Sequence, residues 1–351
     1  MHCPLPTSSL SQTTLLLLLT LFVGSSGLSG QSTDRVLRPE PLQWTKFSGN
    51  PVLPEGAIGA WDHFKSDPFV MKDGQVYKMW YAANVSGEKT GIGYAESLDG
   101  LQWSQSPGHV LEVGPDGAWD DWDVETPTVL KKDGIYHLWY SGRGEPEGTN
   151  PLLKPDAAYR IGHAVSTDGV NWIKDPMNPV LSPGFVLLSW DWAGTAEPTV
   201  IYENGQFKMW YAGVTVQGGG LFVQIGHATS ADGRSWQKYS GNPVLSVPEL
   251  NGILTPSVLK ERPFYELWYT VYNQNTGLPA GPIRQAISLN GIQWFVIPQD
   301  ALVKGSPPEW DWWAIFGPTV ILDGDRYKMW YSGTAIDLQG VHLTIGYAES
   351  D

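Results

Sequence analysis

The stretch SDPFVMKDGQVYKMWYA, residues 66–82, holds a proline that is followed twelve residues later by the tryptophan of a Trp-Tyr pair. The same two positions recur along the chain, at Pro68/Trp80, Pro127/Trp139, Pro198/Trp210, Pro256/Trp268 and Pro318/Trp330. Successive prolines are 59, 71, 58 and 62 residues apart. An internal repeat of this kind predicts an architecture built from five similar units.

Each unit has the pattern of a four-stranded antiparallel meander. In the first unit, the apolar run after Asp67 and the alternating run 76–81 flank the turn pair Asp73-Gly74. A third alternating run, 91–97, and the segment around Trp103 flank Asp99-Gly100. Alternation between Asp-Gly pairs is typical of β-hairpins. Five units of four strands predict an all-β fold, a five-bladed β-propeller.

The two chain ends predict that the ring closes on itself. The last copy stops at residue 351, where the first copy continues into its fourth strand. The segment 42–53 resembles the fourth-strand segment of the third copy, because Gly49–Leu53 matches Gly241–Leu245. We therefore expect the N-terminal segment to complete the fifth blade, which removes open sheet edges. Residues 31–351 are predicted to form one propeller domain.

Residues 1–30 are predicted to be a signal peptide. Leu15–Leu19 and Leu21–Val23 form a short apolar run followed by small residues, too short to cross a bilayer. A secreted or extracytoplasmic protein is expected, with no membrane contact after the signal is removed. The net charge of −14 and pI of 4.8 argue against a nucleic-acid partner and favour a neutral or cationic ligand.

The residues just before the five repeat prolines differ between copies. They are Asp67, Thr126, Glu197, Thr255 and Gly317, and Glu125 precedes Thr126. These positions are predicted to surround the mouth of the central channel, so three of the five blades bring a carboxylate there. Carboxylates in a concave site suit glycosidic bond cleavage, in which one protonated acid and one ionised base cooperate. The alternative is that these acids only cap strand ends.

In this arrangement the chain resembles the five-bladed propeller glycoside hydrolases of families 43, 32, 62 and 68, with family 130 as a relative. In family 43 an Asp of blade one is the base, an Asp of blade two tunes pKa and a Glu of blade three is the acid. The resemblance implies that Asp67 is the general base and Glu197 the general acid. Blade two departs from the pattern, because Thr126 fills the expected place and Glu125 lies one residue earlier. A one-residue shift turns a strand side chain to the other face unless a bulge intervenes.

Several other residues are candidates for substrate binding. Trp-Asp pairs recur in four blades and are interpreted as structural, whereas the additional rings Trp122, Trp192 and Trp313 are candidates for sugar stacking. Arg284 replaces the glycine of the other copies, so it either grips substrate or forms an ion pair. Arg143, in the loop 142–159, and Thr126 complete the predicted rim.

The predicted function is a secreted glycosidase that acts on oligo- or polysaccharide by inversion. The inverting mechanism requires about 6.5 to 9.5 Å between the two carboxyl groups, whereas a separation of about 5 Å favours a retaining mechanism. In that case the resemblance to family 32 implies that Asp67 is the nucleophile. Two alternatives stay open: a carbohydrate-binding propeller without activity, which Thr126 favours, and a phosphorylase, which the scarcity of cations disfavours. No cofactor is predicted, and the histidines show no metal spacing. Some relatives hold a calcium ion in the channel, but the sequence identifies no ligands for one.

Overall fold

The computed structural model describes residues 42–85, 88–145, 158–184, 189–217, 220–247, 252–261, 263–273 and 278–350. Their strands are β1 (Thr45–Lys46), β2 (Phe64–Asp73), β3 (Val76–Asn84), β4 (Gly91–Ser97), β5 (Ser104–Gln105), β6 (Asp123–Lys132), β7 (Ile135–Arg143), β8 (Arg160–Ser166), β9 (Ile173–Lys174), β10 (Gly194–Glu203), β11 (Gln206–Gln217), β12 (Gly220–Ser230), β13 (Gln237–Lys238), β14 (Ile253–Glu261), β15 (Phe264–Asn273), β16 (Leu278–Ser288), β17 (Phe295–Leu302), β18 (Ala314–Asp323), β19 (Arg326–Asp337) and β20 (Gly340–Ser350).

The strands form five four-stranded antiparallel sheets, one for each repeat, so the predicted five-bladed propeller is confirmed. Blades one to four run in chain order, from β2–β5 to β14–β17. Blade five has the order β1-β20-β19-β18, with Thr45 opposite Glu349 and Lys46 opposite Ala348. The N-terminal segment therefore supplies the outer strand of the last blade, as the sequence predicts.

The repeat tryptophans join neighbouring blades. Each is fully buried, and four of them donate Nε1–H to a turn glycine of the next blade. The distances to the glycine oxygens are 2.8 Å for Trp80 to Gly169, 2.8 Å for Trp139 to Gly233, 2.7 Å for Trp210 to Gly291 and 2.9 Å for Trp330 to Gly100. Trp268 has no such partner within the described residues. Blade five explains the exception, because β20 and β1 are not joined by a turn.

This difference predicts unequal costs for one substitution. We expect Trp210→Phe to lower the free energy of unfolding by about 1–3 kcal/mol more than Trp268→Phe, because only the former leaves a buried glycine carbonyl, that of Gly291, without its indole donor. Both variants lose the same ring atoms, so their comparison isolates the hydrogen bond. Urea unfolding measures the difference. Equal costs would show that the indole N–H does not hold the blades together.

The predicted signal peptide, residues 1–30, lies outside the described residues. Within the described ranges, no helix has the length and apolar character needed to cross a membrane. The described part of the predicted domain 31–351 begins at Leu42, and residues 42–351 form one compact unit.

Candidate active site

The innermost strand of every blade is interrupted at its repeat proline. In β2 the ladder pairs Ser66 with Ala82 and then Phe69 with Trp80, so Asp67 and Pro68 together oppose one residue. The other four innermost strands skip at the same place. Two residues against one is a β-bulge, which bends the strand and re-aims a side chain. Each blade therefore turns its pre-proline residue out of the regular ladder.

The pre-proline residues share an unusual backbone conformation. Their φ angles are all positive, at 50° for Asp67, 49° for Thr126, 55° for Glu197, 48° for Thr255 and 60° for Gly317. Few residues other than glycine adopt this region, and a following proline disfavours compact conformations further. Because all five copies share the angle, it belongs to the blade itself and is not specific to the acids.

The bulged residues line one central cavity. Each blade contributes its pre-proline residue, its proline and the residue that follows. The empty space, including the part that is open to solvent, is about 380 Å³. Among these lining residues only Asp67 and Glu197 carry ionisable side chains. The structure thus brings the two predicted catalytic carboxyl groups into the same cavity.

Asp67 lies in a desolvated position that favours its neutral form. Burial raises the pKa of Asp67 to about 6, while a hydrogen bond from Ser66 Oγ to Oδ2, at 2.7 Å, acts in the opposite direction. The backbone N–H of Asp67 donates to Ser332 Oγ of blade five at 2.8 Å. Its carboxyl group is thereby fixed at the junction of blades five and one.

Glycine at position 317 makes room for Asp67. A Cβ atom there would lie 2.9 Å from Asp67 Oδ1, closer than ordinary packing allows. We expect Gly317→Ala to move the Asp67 carboxyl group and, on any substrate that is turned over in this cavity, to lower kcat about ten- to a hundredfold. Gly324→Ala is the matched control: its φ is 63°, but a Cβ there has no neighbour within 4 Å.

Both glycine variants should lose stability because both force a positive φ on alanine, and Gly317→Ala should lose somewhat more because its Cβ also crowds Asp67. Only Gly317→Ala should lose turnover. Equal kcat values for Gly317→Ala and Gly324→Ala would show that space beside Asp67 is unimportant.

Glu197 is also desolvated, but its surroundings are different. Burial and, to a smaller extent, the nearby Asp67 carboxyl group raise the pKa of Glu197 to about 7. The N–H of Thr255 donates to Oε2 at 2.6 Å and opposes that rise. The N–H of Glu197 donates to Ser141 Oγ of blade two at 2.7 Å. Glu197 is therefore the weaker acid of the two cavity carboxyls.

Glu125 lies beside the cavity and not in its lining. It pairs with Ser141 in the ladder just before the bulge. Burial and the carboxylates of Asp123 and Asp67 raise the pKa of Glu125, while Tyr159 and Arg143 oppose the rise. Glu125 thus interacts electrostatically with Asp67, although the bulge gives the lining position to Thr126.

Arg143 is bound within this acidic cluster. Its Nε donates to the buried Asp123 at 2.5 Å, and its guanidinium lies 4.8 Å from the ring centre of Tyr159. The Tyr159 hydroxyl also donates to Asp123, at 3.2 Å. The sequence does not predict Asp123 or Tyr159 as site residues, because neither occupies one of the repeat positions on which that prediction depends.

The remaining candidates lie outside the cavity lining, except Thr126. Thr126 Oγ1 lies 2.5 Å from Ser141 Oγ. Arg284 donates to Asp300 Oδ1 at 2.7 Å, which fits the ion-pair alternative. Trp122, Trp192 and Trp313 are partly buried in the loops before the innermost strands, so their stacking role stays a prediction.

The recurrent Trp-Asp pairs have structural contacts, as interpreted from the sequence. Asp311 is fully buried and accepts hydrogen bonds from Lys46 Nζ at 2.7 Å and Tyr331 OH at 3.2 Å. Asp120 makes the same two kinds of contact in blade two. These acids join the inner and outer strands of a blade and leave the cavity to Asp67 and Glu197.

Within the described ranges there is no group of three or more His, Cys, Asp or Glu side chains arranged to hold a metal ion.

Comparisons with known proteins identify both sequence relatives and solved structures that are similar to this chain. No protein-family model matches the chain. Over 182 residues the chain is 34% identical to an uncharacterized protein of Mycobacterium tuberculosis (strain H37Rv). The aligned region covers 49% of this chain and 52% of that protein. Over 161 residues the chain is 34% identical to a vacuolar acid beta-fructofuranosidase 1 of Rosa hybrid cultivar. The aligned region covers 44% of this chain and 24% of that protein. The chain thus spans about half the length, or less, of these relatives.

Solved structures match nearly the whole propeller. One described as a glycoside hydrolase has a TM-score of 0.70 at 19% identity, covering 88% of this chain and 92% of that chain. The chain has the fold of the five-bladed propeller glycoside hydrolases. A thermostable family-43 glycoside hydrolase gives a TM-score of 0.62 at 18% identity, covering 81% and 89%. The predicted resemblance to propeller glycosidases is therefore confirmed at the level of the fold.

Proposed function

We propose that this propeller is a secreted glycoside hydrolase that inverts configuration, with Asp67 as general base and Glu197 as general acid. The observation that carries the proposal is the presence of both carboxyl groups in one cavity, with pKa values raised to about 6 and about 7. A pair of acids with separated pKa values is what acid–base catalysis of glycoside cleavage requires. The fold and the sequence relatives support the same class of enzyme.

The reaction follows from the two environments. Glu197 gives its proton to the glycosidic oxygen as the bond from the anomeric carbon to that oxygen breaks and the electron pair stays with the oxygen. A water molecule forms the new bond to the anomeric carbon from the other side and gives a proton to Asp67. The Thr255 N–H, 2.6 Å from Oε2, then stabilises the ionised Glu197.

The charges around the cavity favour a neutral glycan. The lining residues include no Lys, Arg or His, and nearby Arg143 already binds Asp123. A uronate or a phosphate ion would meet Asp67 and Glu197 without a cation to compensate its charge. Hydrolysis of a neutral sugar is therefore favoured over phosphorolysis.

A hydrolysis screen tests the proposal. The protein without residues 1–30 is incubated with neutral and uronate-containing glycans, in the presence and absence of inorganic phosphate. We expect release of neutral sugar that is independent of phosphate. Binding of a glycan with no cleavage across the panel would favour the carbohydrate-binding alternative, and sugar phosphate as product would identify a phosphorylase.

The pH dependence of kcat/KM should be a narrow bell. Below about pH 6 Asp67 gains a proton and cannot act as base, and above about pH 7 Glu197 loses the proton it must donate. The maximum is therefore expected between these values. Initial rates on a hydrolysed neutral glycan, measured across this range in buffers of constant ionic strength, check the prediction. A rate that keeps rising above pH 8 contradicts Glu197 as the acid.

Export of the protein is proposed on the apolar run of residues 15–23 alone. Expression of the full chain in a secreting host, followed by N-terminal sequencing of protein from the medium, tests it. A mature N-terminus near residue 30 is expected, and uncleaved protein that stays in the cells contradicts export.

A further inference from the structure

The residue two positions after each repeat tryptophan divides the blades into two groups. Blades two, four and five have hydroxyl side chains there, and blades one and three have alanine: Ser141, Thr270, Ser332, Ala82 and Ala212. All five are buried. The two alanines occur in the two blades whose pre-proline residue, Asp67 or Glu197, is acidic.

Each hydroxyl serves the next blade around the ring. Its oxygen accepts the backbone N–H of the following pre-proline residue: Ser332 from Asp67 at 2.8 Å, Ser141 from Glu197 at 2.7 Å and Thr270 from Gly317 at 3.2 Å. Blade three has alanine at this place, and there the Glu197 carboxylate accepts the N–H of Thr255. At the junction of blades three and four, the Glu197 carboxyl group thus accepts the backbone N–H that a hydroxyl accepts at the junctions following blades two, four and five.

We propose that Ser141 and Ser332 are positioning residues, which hold the backbone of Glu197 and Asp67 so that both carboxyl groups converge on one glycosidic bond. The inference rests on the proposed function. Ala212 completes the arrangement at Glu197, because a hydroxyl in blade three would compete with the Glu197 carboxyl group for the N–H of Thr255.

The backbone conformation explains why a hydroxyl is needed. Asp67 and Glu197 have φ angles of 50° and 55°, a conformation that persists only where surrounding contacts fix it. A buried N–H without an acceptor would add to the cost of holding it. Losing the hydroxyl should let the bulge relax, which displaces the carboxyl group and not merely the backbone.

Ser141 has a second contact that Ser332 lacks in the described structure. Its Oγ lies 2.5 Å from Thr126 Oγ1, the lining residue of its own blade. Ser141 therefore connects the lining residues of blades two and three, and its loss should disturb both Thr126 and Glu197.

Three matched variants test the proposal: Ser141→Ala, Ser332→Ala and, as a control, Thr270→Val. Thr270 makes the same kind of contact, but to Gly317, which has no carboxyl group. Its second contact, at 2.7 Å, is to the hydroxyl of Thr255 and not to the Thr255 N–H that Glu197 accepts. We expect kcat to fall about tenfold or more in the two serine variants with KM little changed, and much less in Thr270→Val. Ser141→Thr, which restores a hydroxyl of the kind blade four uses, should recover most of the loss.

The pH profile separates positioning from stability. Ser141→Ala should loosen the bond from Thr255 to Glu197 and move the alkaline limb to higher pH, because a desolvated carboxyl without that donor ionises less readily. Ser332→Ala should instead move the acidic limb, since it displaces Asp67 and so changes the burial and the Ser66 hydrogen bond that set the pKa of Asp67. Three variants that lose stability and turnover equally, with both limbs unmoved, would overturn the proposal.

Failure of the proposed function gives a different result. If the wild-type protein hydrolyses no glycan, the carboxyl carbon of Glu197 is titrated by NMR in the full chain labelled with 13C-glutamate, with Glu197→Gln to assign its signal. A titration that shifts to higher pH in Ser141→Ala but not in Thr270→Val retains the positioning role without the enzyme. An unshifted titration overturns that role as well.

Discussion

Glu197→Gln is expected to lower kcat on an unactivated glycan by about 10²–10⁴-fold, the usual contribution of a general acid. Glutamine keeps the size of the side chain and can still face the Thr255 N–H through its amide oxygen, but it has no acidic proton to give to the leaving oxygen. The cavity should therefore keep its shape while protonation of the leaving group fails. Steady-state rates on the natural and on an activated substrate measure the effect.

The choice of substrate makes this prediction specific. The nitrophenolate group of a nitrophenyl glycoside leaves without being protonated by an acid. The loss of kcat in Glu197→Gln should therefore be much smaller on such a substrate. Glu203→Gln is the matched control, because Glu203 lies outside the cavity on the same strand, where its carboxylate binds Lys208. That control should keep its activity. An equal loss on natural and activated substrates would argue against Glu197 as the acid.

The sequence predicts the ring of blades well, because the same pattern of strands occurs five times along the chain. The proline, the Trp-Tyr pair and the turn glycines recur together, and Trp80 and Gly169 make the contact that this recurrence implies. The closing strand was predictable too, since residues 49–53 repeat a segment of blade three. These features depend on local patterns that appear in every copy.

Parts of the site were not predictable from the same patterns. The bulge at Thr126 is a property of pairing between strands, so the sequence leaves open whether Glu125 reaches the channel. In the structure Glu125 interacts with both Asp123 and Asp67, although Thr126 takes the lining position. The partner of Arg143, Asp123, lies 20 residues away in the chain and follows no repeat rule.

The sequence contains one further signal of the site that follows the repeat. The alanine or hydroxyl two residues after the repeat tryptophan correlates with the presence of an acid before the proline of the same blade. Its meaning depends on a contact between different blades, such as Ser141 with Glu197, and a single repeat cannot show that.

Asp67→Asn is expected to abolish hydrolysis of natural and activated substrates alike, with a loss of about 10²–10⁴-fold. The amide cannot take the proton of the attacking water, and a better leaving group does not replace that function. The substitution keeps the bond that the backbone N–H of residue 67 makes to Ser332. Folding should therefore be preserved, which circular dichroism and the thermal unfolding midpoint check.

Two further measurements decide what kind of group Asp67 is. The negative charge of Asp67 raises the pKa of Glu197, so its removal should move the alkaline limb of any residual activity to lower pH. The anomeric form of the first product of the wild-type enzyme, followed by NMR, should be inverted, because Asp67 activates water and forms no bond to the sugar. Retention of configuration would identify Asp67 as a nucleophile, and full activity of Asp67→Asn would remove it from the reaction, since no other carboxyl group besides Glu197 lines the described cavity.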